Sequence, residues 1–345
     1  MILLVFRCAL SGQTPATDPH WQLVFHETFD SIDPAVWKVA HHFDHYGEPQ
    51  VYTSREENVQ TADGALKLTV RKERYRYREP SAGRKKKRRY PYTSGWVETT
   101  KEHYIRYGYI ESRIKLPYGK GFWPAFWTFV GEHLPDRHNA AEIDIFEMLG
   151  TRPSTIMGTN LHIGYCNCDV NECSCEYLND PMCPGVNPEI LCHGLHVEIP
   201  EYAGTYHTYA VEWSPTKIIW YVNGNMVRNS PNPGIVDPVR IILNLAITPW
   251  TQPDRTTPFP SSMHVDYVKL YRLEFDTTRI DTCIYDFSQP SVTVKSDISI
   301  GGDSCVNIIP PHEDVTLRAT EGIEIRGDFQ VLPGARLYLD VNREE

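Results

Sequence analysis

Three carboxylates fall within six residues in the segment Ala141-Glu142-Ile143-Asp144-Ile145-Phe146-Glu147-Met148, interleaved with apolar side chains. On a β-strand, side chains two apart share a face, so Glu142 and Asp144 point the same way. Glu147 has the opposite parity. A one-residue bulge between Asp144 and Glu147 would return it to their face, and bulges are common beside active sites. Acids crowded together repel one another, which raises at least one pKa and lets one group hold a proton while another is ionised. Cleavage of a glycosidic bond needs such a set: one carboxylate attacks the anomeric carbon and a second protonates the leaving oxygen. In a retaining mechanism the two carboxyl groups stand about 5–5.5 Å apart. The alternative is a polar strand face open to water, but such faces usually mix acids with Lys, Thr and Ser.

Aromatic rings lie close by in sequence. Gly121-Phe-Trp-Pro-Ala-Phe-Trp127 places Trp123 and Trp127 four apart. Indole faces stack on the apolar faces of sugar rings, and core packing is the competing use for either one. Trp250 sits in a loop after a strand, where lining a cleft is an even choice.

The elements that must hold these groups read as strands. Trp21–Phe25, Ala65–Val70, Tyr107–Leu116, Thr208–Trp213, Lys217–Val222, Val239–Ile247 and Met263–Tyr271 alternate or form short apolar runs between turn signals. Asp63-Gly64 is a turn pair, and Asn223-Gly224 reads as a hairpin turn, since that pair suits two residues with positive φ. No convincing amphipathic helix competes, so two packed antiparallel sheets are expected. A break near Glu274–Arg279 separates a tail whose Val315–Ala319 and Ile323–Arg326 again alternate. Cys283 and Cys305 are placed to staple that small unit with one bridge.

Composition narrows the partners. The chain has 345 residues, 41% of them hydrophobic and 23% charged, enough apolar material for a sizeable core. No 18-residue apolar run is present, so a membrane span is not expected. The net charge of −10 conceals eleven Lys/Arg against two Glu between Arg71 and Arg89. The remaining body is strongly acidic, which does not suit nucleic-acid binding. The run Arg84–Arg89 reads first as a solvated loop and second as a grip on an acidic polysaccharide.

Nine cysteines, six of them between Cys166 and Cys192, point to disulfides and an oxidising compartment. Their pairing stays open. A zinc site with His162, His193 and His196 is the rival, weakened by the lack of a C-x2-C pair. Residues 1–20 read as a leader or partial signal segment, with an apolar start that is short for the purpose.

With these residues in view, Glu-Ile-Asp-Ile-Phe-Glu at 142–147 resembles the signature of glycoside hydrolase family 16, in the variant with one extra residue before the last Glu. Phe25–Trp37, the stretch from Gly95, Tyr107–Trp127, His207–Trp213 and Val265–Tyr271 are similar to that family in the same order. The resemblance covers about Trp21–Leu273. It implies an all-β fold, a β-jelly-roll sandwich of two antiparallel sheets with a concave carbohydrate cleft at 21–275; the tail at 276–345 resembles instead the short C-terminal β-rich accessory modules of some secreted bacterial hydrolases. The family resemblance implies a secreted, retaining endo-hydrolase, with Glu142 as nucleophile, Glu147 as acid/base and Asp144 modulating both. Positions matching Asn58, Arg113 and His162 would contact the sugar, beside Trp123, Trp127 and Trp250.

By the same resemblance no cofactor is required, and a structural calcium near Asp266 is an option, although Thr28 and Glu27 stand where an acid is usual. The partner would be a polysaccharide, with no nucleic acid or membrane, and the protein a monomer. A β-1,3- or β-1,3/1,4-glucan is the leading substrate. Asn244-Leu-Ala-Ile-Thr-Pro-Trp250 lacks the glycines that often follow in β-1,3-glucan-acting members. That departure, with the two insertions, keeps a sulfated galactan such as agar, porphyran or carrageenan as the alternative. A carbohydrate-binding protein without catalysis is the alternative of another class, disfavoured because both glutamates are present.

Overall fold

A computed structural model of the protein describes residues 14–16, 21–43, 45, 47–79, 86–130, 141–163, 167–169, 172–174, 194–215, 217–273, 279–287 and 292–341. Among these the structure is almost entirely β, and two sheets pack face to face. A seven-stranded sheet has the order Leu195–Glu198, Ile156–Ile163, Ala141–Glu147, Phe122–Val130, Val239–Ile247, Trp96–Thr99 and Trp37–Val39. A ten-stranded sheet runs Asn225–Pro231, Lys217–Val222, Tyr206–Trp213, Gly108–Lys115, Ser261–Leu273, Ala65–Glu79, Lys86–Ser94 and Gln50–Tyr52. Trp21–Glu27 pairs with Ser261–Leu273, and Val59–Ala62 with Ala65–Glu79.

The alternation in the sequence explains the sandwich. Ile143, Ile145, Phe126 and Leu243 of the first sheet meet Ile110, Ile114, Val211 and Trp220 of the second in one buried core. The other faces of the same strands carry the polar and aromatic residues. Both expected turns form, with positive φ at Asp63-Gly64 (58° and 70°) and Asn223-Gly224 (50° and 76°), and each closes a hairpin. Among the described residues the sandwich strands pair antiparallel, apart from Gln50–Tyr52, which runs parallel to Lys86–Ser94, and an isolated parallel bridge joins Leu116 to Ala203.

The basic run is not the loop the sequence suggests. Lys86 to Arg89 belong to a strand that pairs with Ala65–Glu79 as a long hairpin; Arg84 and Lys85 lie outside the described residues. Of the six clustered cysteines, Cys168 and Cys173 face each other in a short hairpin of Asn167–Asp169 with Glu172–Ser174. The other four lie outside the described residues.

The tail has a different architecture. Arg279–Thr282, Val292–Ile309, Asp314–Val331 and Arg336–Val341 form a parallel four-stranded sheet. Straight parallel neighbours need a crossover of a dozen residues or more. Here residues 310–313 alone join two of them, so the strands themselves bend round into stacked coils. Gly301 and Gly327 mark two of the bends at positive φ (106° and 74°). A Cβ at Gly301 would lie 1.8 Å from the Arg326 carbonyl oxygen. The Cys283–Cys305 disulfide closes the start of the unit.

The tail docks on the outer face of the ten-stranded sheet. Arg318, only 2% exposed, bonds through Nη2 to Glu212 Oε1 at 2.9 Å, and its guanidinium lies 5.9 Å from the Trp21 ring. Glu212 is equally buried and also accepts from the Tyr221 hydroxyl at 3.0 Å. Burial alone would raise the Glu212 pKa, but Arg318 and Lys217 reverse this and hold it below the usual range. Removing one partner of a buried pair leaves a charge uncompensated, which costs about 3–5 kcal/mol. Arg318→Ala should therefore lower stability by roughly that amount in urea unfolding. The loss should shrink as the pH falls toward the pKa of Glu212, where the carboxyl becomes neutral; a variant as stable as the parent at pH 7 would contradict the docking.

Candidate active site

The strand Ala141–Glu147 lies between Phe122–Val130 and Ile156–Ile163. Its registry slips on both sides. Asp144 faces Trp127 while Phe146 faces Phe126, so two steps on one strand match one on the other. Toward the other neighbour, Asp144 faces Asn160 and Glu147 faces Gly158, three steps against two. This is the bulge required by the parity of Glu147, and it sends Ile145 and Phe146 both into the core. Glu142, Asp144 and Glu147 consequently share the concave face. Trp220, in the core beneath, donates from Nε1 to the Asp144 carbonyl at 2.8 Å and pins the strand at the bulge.

Each acid has its own surroundings. Asp144 is 2% exposed, and its Oδ2 lies 3.3 Å from His162 Nε2. Glu142 is partly buried, with Oε1 3.8 Å from the same nitrogen. Glu147 accepts from Trp123 Nε1 at 2.8 Å on one oxygen and from the Asn160 amide on the other. Asn160 and His162 are two apart on one strand and so share the concave face.

Burial raises the pKa of Glu147, and the Asp144 charge adds to it; His162 and the two donors offset only part, leaving a value of about 8. Glu142 is likewise pushed well up by burial and by Asp144. His162 moves the other way from an ordinary buried histidine. Burial favours its neutral form, but the hydrogen bond to Asp144 and the charges of Glu142, Asp144 and Glu147 prevail and raise it to about 10. The site thus combines an imidazolium with carboxyls that resist losing their last proton. It can offer both a proton donor and an anion near neutral pH.

The concave face brings together six of the residues singled out from sequence besides Asp144. Glu142, Glu147 and His162 meet directly; Trp123 bonds Glu147; Trp250, 63% exposed, packs on Trp123 with ring centroids 5.0 Å apart. Trp127 is on this face but only 8% exposed, held by Nε1 to Asn244 Oδ1 at 2.8 Å and edge-on to Trp96. It packs in the cleft floor, the competing use noted for it.

Arg113 and Asn58 are elsewhere. Arg113 has the opposite parity to Ile110 and Ile114, so it points away from the core on the outer face of the ten-stranded sheet. There it pairs with Asp266 at 2.6 Å and lies over the Tyr206 ring. Asn58 is fully buried. Its amide donates to Thr69 O and Thr93 Oγ1, and its carbonyl accepts from Thr53 and Arg55. Neither is placed to touch a sugar in the cleft. Sequence reasoning missed Asn160, although its spacing from His162 marks the face. It also missed Arg228, a buried guanidinium 4.3 Å from the Trp220 ring whose Nη1 donates to Thr159 O at 2.7 Å; nothing local marks it.

Around Asp266, the side chains considered for a structural calcium are engaged with protein partners. Asp266 is committed to Arg113. Glu27 accepts from Trp37 Nε1 at 2.9 Å with one oxygen and from the Phe29 amide at 2.7 Å with the other. A hard cation needs several free oxygens, and a guanidinium beside Asp266 opposes one. Among the described residues, Glu142, Asp144 and His162 also converge, their ligand atoms within 4.8 Å.

Comparison with known proteins agrees with this geometry. The sequence profile described as Glycosyl hydrolases family 16 matches residues 47–269. A β-glucanase of Rhodothermus marinus is 29% identical over 300 residues, covering 79% of this chain and 93% of that protein. The κ-carrageenase of Pseudoalteromonas carrageenovora is 28% identical over 296 residues, covering 79% of this chain and 70% of that one. Among solved structures, the laminarinase catalytic domain of Thermotoga maritima MSB8 superposes with a TM-score of 0.58 at 29% identity. It covers 73% of this chain and 98% of that one.

Carbon-13 NMR titration of the Glu147 carboxyl should give a midpoint of about 8. Asn160→Ala, which removes a donor to the ionised form, should move it higher. A midpoint near the ordinary value of about 4.3 would show that burial and Asp144 do not act as described.

Proposed function

The chain belongs to glycoside hydrolase family 16, and on that premise we propose that it is a retaining, endo-acting hydrolase of a β-1,3- or β-1,3/1,4-linked glucan. The observation that carries the reading is the bulged strand, which crowds Glu142, Asp144 and Glu147 onto the concave face with His162 beside them. Glu147, protonated near neutral pH, donates to the leaving glycosidic oxygen. Glu142 attacks the anomeric carbon and forms a glycosyl-enzyme ester. Glu147, now ionised, then takes a proton from the water that hydrolyses the ester. Asp144 orients the set, and the His162 imidazolium lets Glu142 ionise despite its neighbours. Trp123 and the exposed Trp250 offer ring faces to sugars beside the cleaved bond.

The chain spans most of the β-glucanase it resembles, which supports the glucan assignment. A galactan substrate is the second reading; it draws on the likeness to a κ-carrageenase and on the basic hairpin. We also infer that the enzyme is secreted, in line with its disulfide, that it acts as a monomer, and that residues 276–345 form an accessory module docked on the catalytic sandwich.

Removing a positioned proton donor costs about 10²–10⁴ in rate. Glu147→Ala should lose that much, and Glu142→Ala most of its turnover, with both proteins folded by circular dichroism. For the parent, kcat/KM should fall as pH rises through about 8, where Glu147 loses the proton it must donate. Oligosaccharides released from laminarin or lichenan, in a panel with xyloglucan, agarose, porphyran and carrageenans, are the expected products. Near-normal rates in either variant would remove the assignment.

A further inference from the structure

The hairpin formed by Ala65–Glu79 and Lys86–Ser94 carries three exposed arginines, Arg74, Arg76 and Arg89, on its described residues. Register places Arg76 directly opposite Arg89. Like charges in such cross-strand pairs destabilise a hairpin unless a counter-charge lies between them. Arg74, Arg76 and Arg89 are exposed, and none of the three has an ion-pair partner among the described residues. Arg76 and Arg89 stand side by side in the ladder, and Arg74 lies two residues before Arg76, within the register slip between Lys72 and Tyr75.

The opposite face of the hairpin is anchored. Tyr77 stacks on His42 at 4.0 Å with rings 4° from parallel, and its hydroxyl donates to the His42 carbonyl at 3.2 Å. The Tyr75 hydroxyl lies 2.8 Å from His42 Nε2, and the Arg55 guanidinium sits 4.6 Å from the Tyr75 ring. Arg55 in turn pairs with Glu73 and bonds Asn58 and Thr93, which locks the root of the arm. The basic face is therefore presented outward by a braced element.

The segment that braces the arm also reaches the cleft. Phe43 packs edge-on against Trp96 at 5.4 Å, and His45 lies 6.2 Å from the Trp127 ring. Trp127 sits directly opposite Asp144. An aromatic path thus runs from the three acids to the foot of the basic arm. The acidic charge of the rest of the chain disfavours nucleic acid as the occupant.

We propose that this hairpin is a second polysaccharide-binding site, in which Arg74, Arg76 and Arg89 hold sulfate or carboxylate groups of a sugar polymer. It rests on the reading of the protein as a polysaccharide hydrolase and adds the substituent class recognised away from the cleaved bond. The anionic groups belong either to the chain being cut or to a neighbouring chain of the same matrix.

The test uses the full chain in a Glu142→Ala background, so that binding is read without cleavage. Affinity electrophoresis in κ-carrageenan and in alginate supplies sulfate and carboxylate probes, with laminarin as the neutral comparison. Binding to at least one anionic polymer should weaken about tenfold or more when Arg74, Arg76 and Arg89 are all replaced by Ser. It should also weaken steeply between 50 and 300 mM NaCl, on the order of the screening expected for exposed charges. Arg76→Glu alone separates binding from folding: a carboxylate opposite Arg89 should raise the melting temperature while binding falls. In the active enzyme, cleavage of the anionic polymer with a KM raised by the triple substitution places the groups on the cut chain. Binding without cleavage, alongside cleavage of laminarin, places them on a neighbour. Affinity unchanged by the substitutions, no binding to either probe, or equal binding to duplex DNA would overturn the proposal. Failure to cleave any polymer would instead count against the hydrolase reading.

Discussion

The active site depends on one extra residue in one strand. Without the slip between Asp144 and Glu147, strand parity would send Glu147 into the sandwich interior and leave Phe146 facing the cleft. With it, three carboxyls stand on the concave face and two large apolar side chains stay in the core. A bulge leaves a residue unpaired and weakens the ladder locally. The structure offsets that weakness from below, where the Trp220 indole holds the Asp144 carbonyl, and from both flanks, where full strands continue the sheet.

The crowding the bulge creates is then balanced chemically. Three adjacent carboxyls would be hard to ionise, and His162 supplies one positive charge among them. Trp123 and Asn160 fix both oxygens of Glu147, so the group that holds the proton is also the group whose orientation is set. Arg228 sits beneath the neighbouring strand and bonds the Thr159 carbonyl, one residue from Asn160. A rigid two-sheet core of large apolar side chains makes such placement durable, because close-packed interiors resist small displacements.

Much of this was legible in the sequence, and the limits have physical causes. Parity along Glu142, Asp144 and Glu147 demanded a bulge, and the turns declared themselves as Asp63-Gly64 and Asn223-Gly224. Parity also held the answer for Arg113, whose offset from Ile110 and Ile114 places it outside the sandwich, and for Asn160, in step with His162. Asn58 was different. Its fate is decided by Thr69, Thr93 and Arg55, partners brought together only by folding. The same holds for Trp127, where Asn244 and Trp96 arrive from two other strands, and for Glu212 and Arg318, over a hundred residues apart. The basic run read as a loop because composition records charge and not pairing; Tyr75, Tyr77 and Tyr90 on the alternate positions are what make it a strand.

The double displacement proposed for Glu142 and Glu147 has a stereochemistry that is directly observable. Proton NMR of the reducing-end anomeric signals during the first minutes of laminarin hydrolysis should show the β-anomer forming first, with the α-anomer growing only by mutarotation. Initial release of the α-anomer would mean inversion. Inversion requires carboxyls about 6.5–9.5 Å apart with water between them, which would contradict the placement of Glu142 and Glu147 as nucleophile and acid on one crowded strand face.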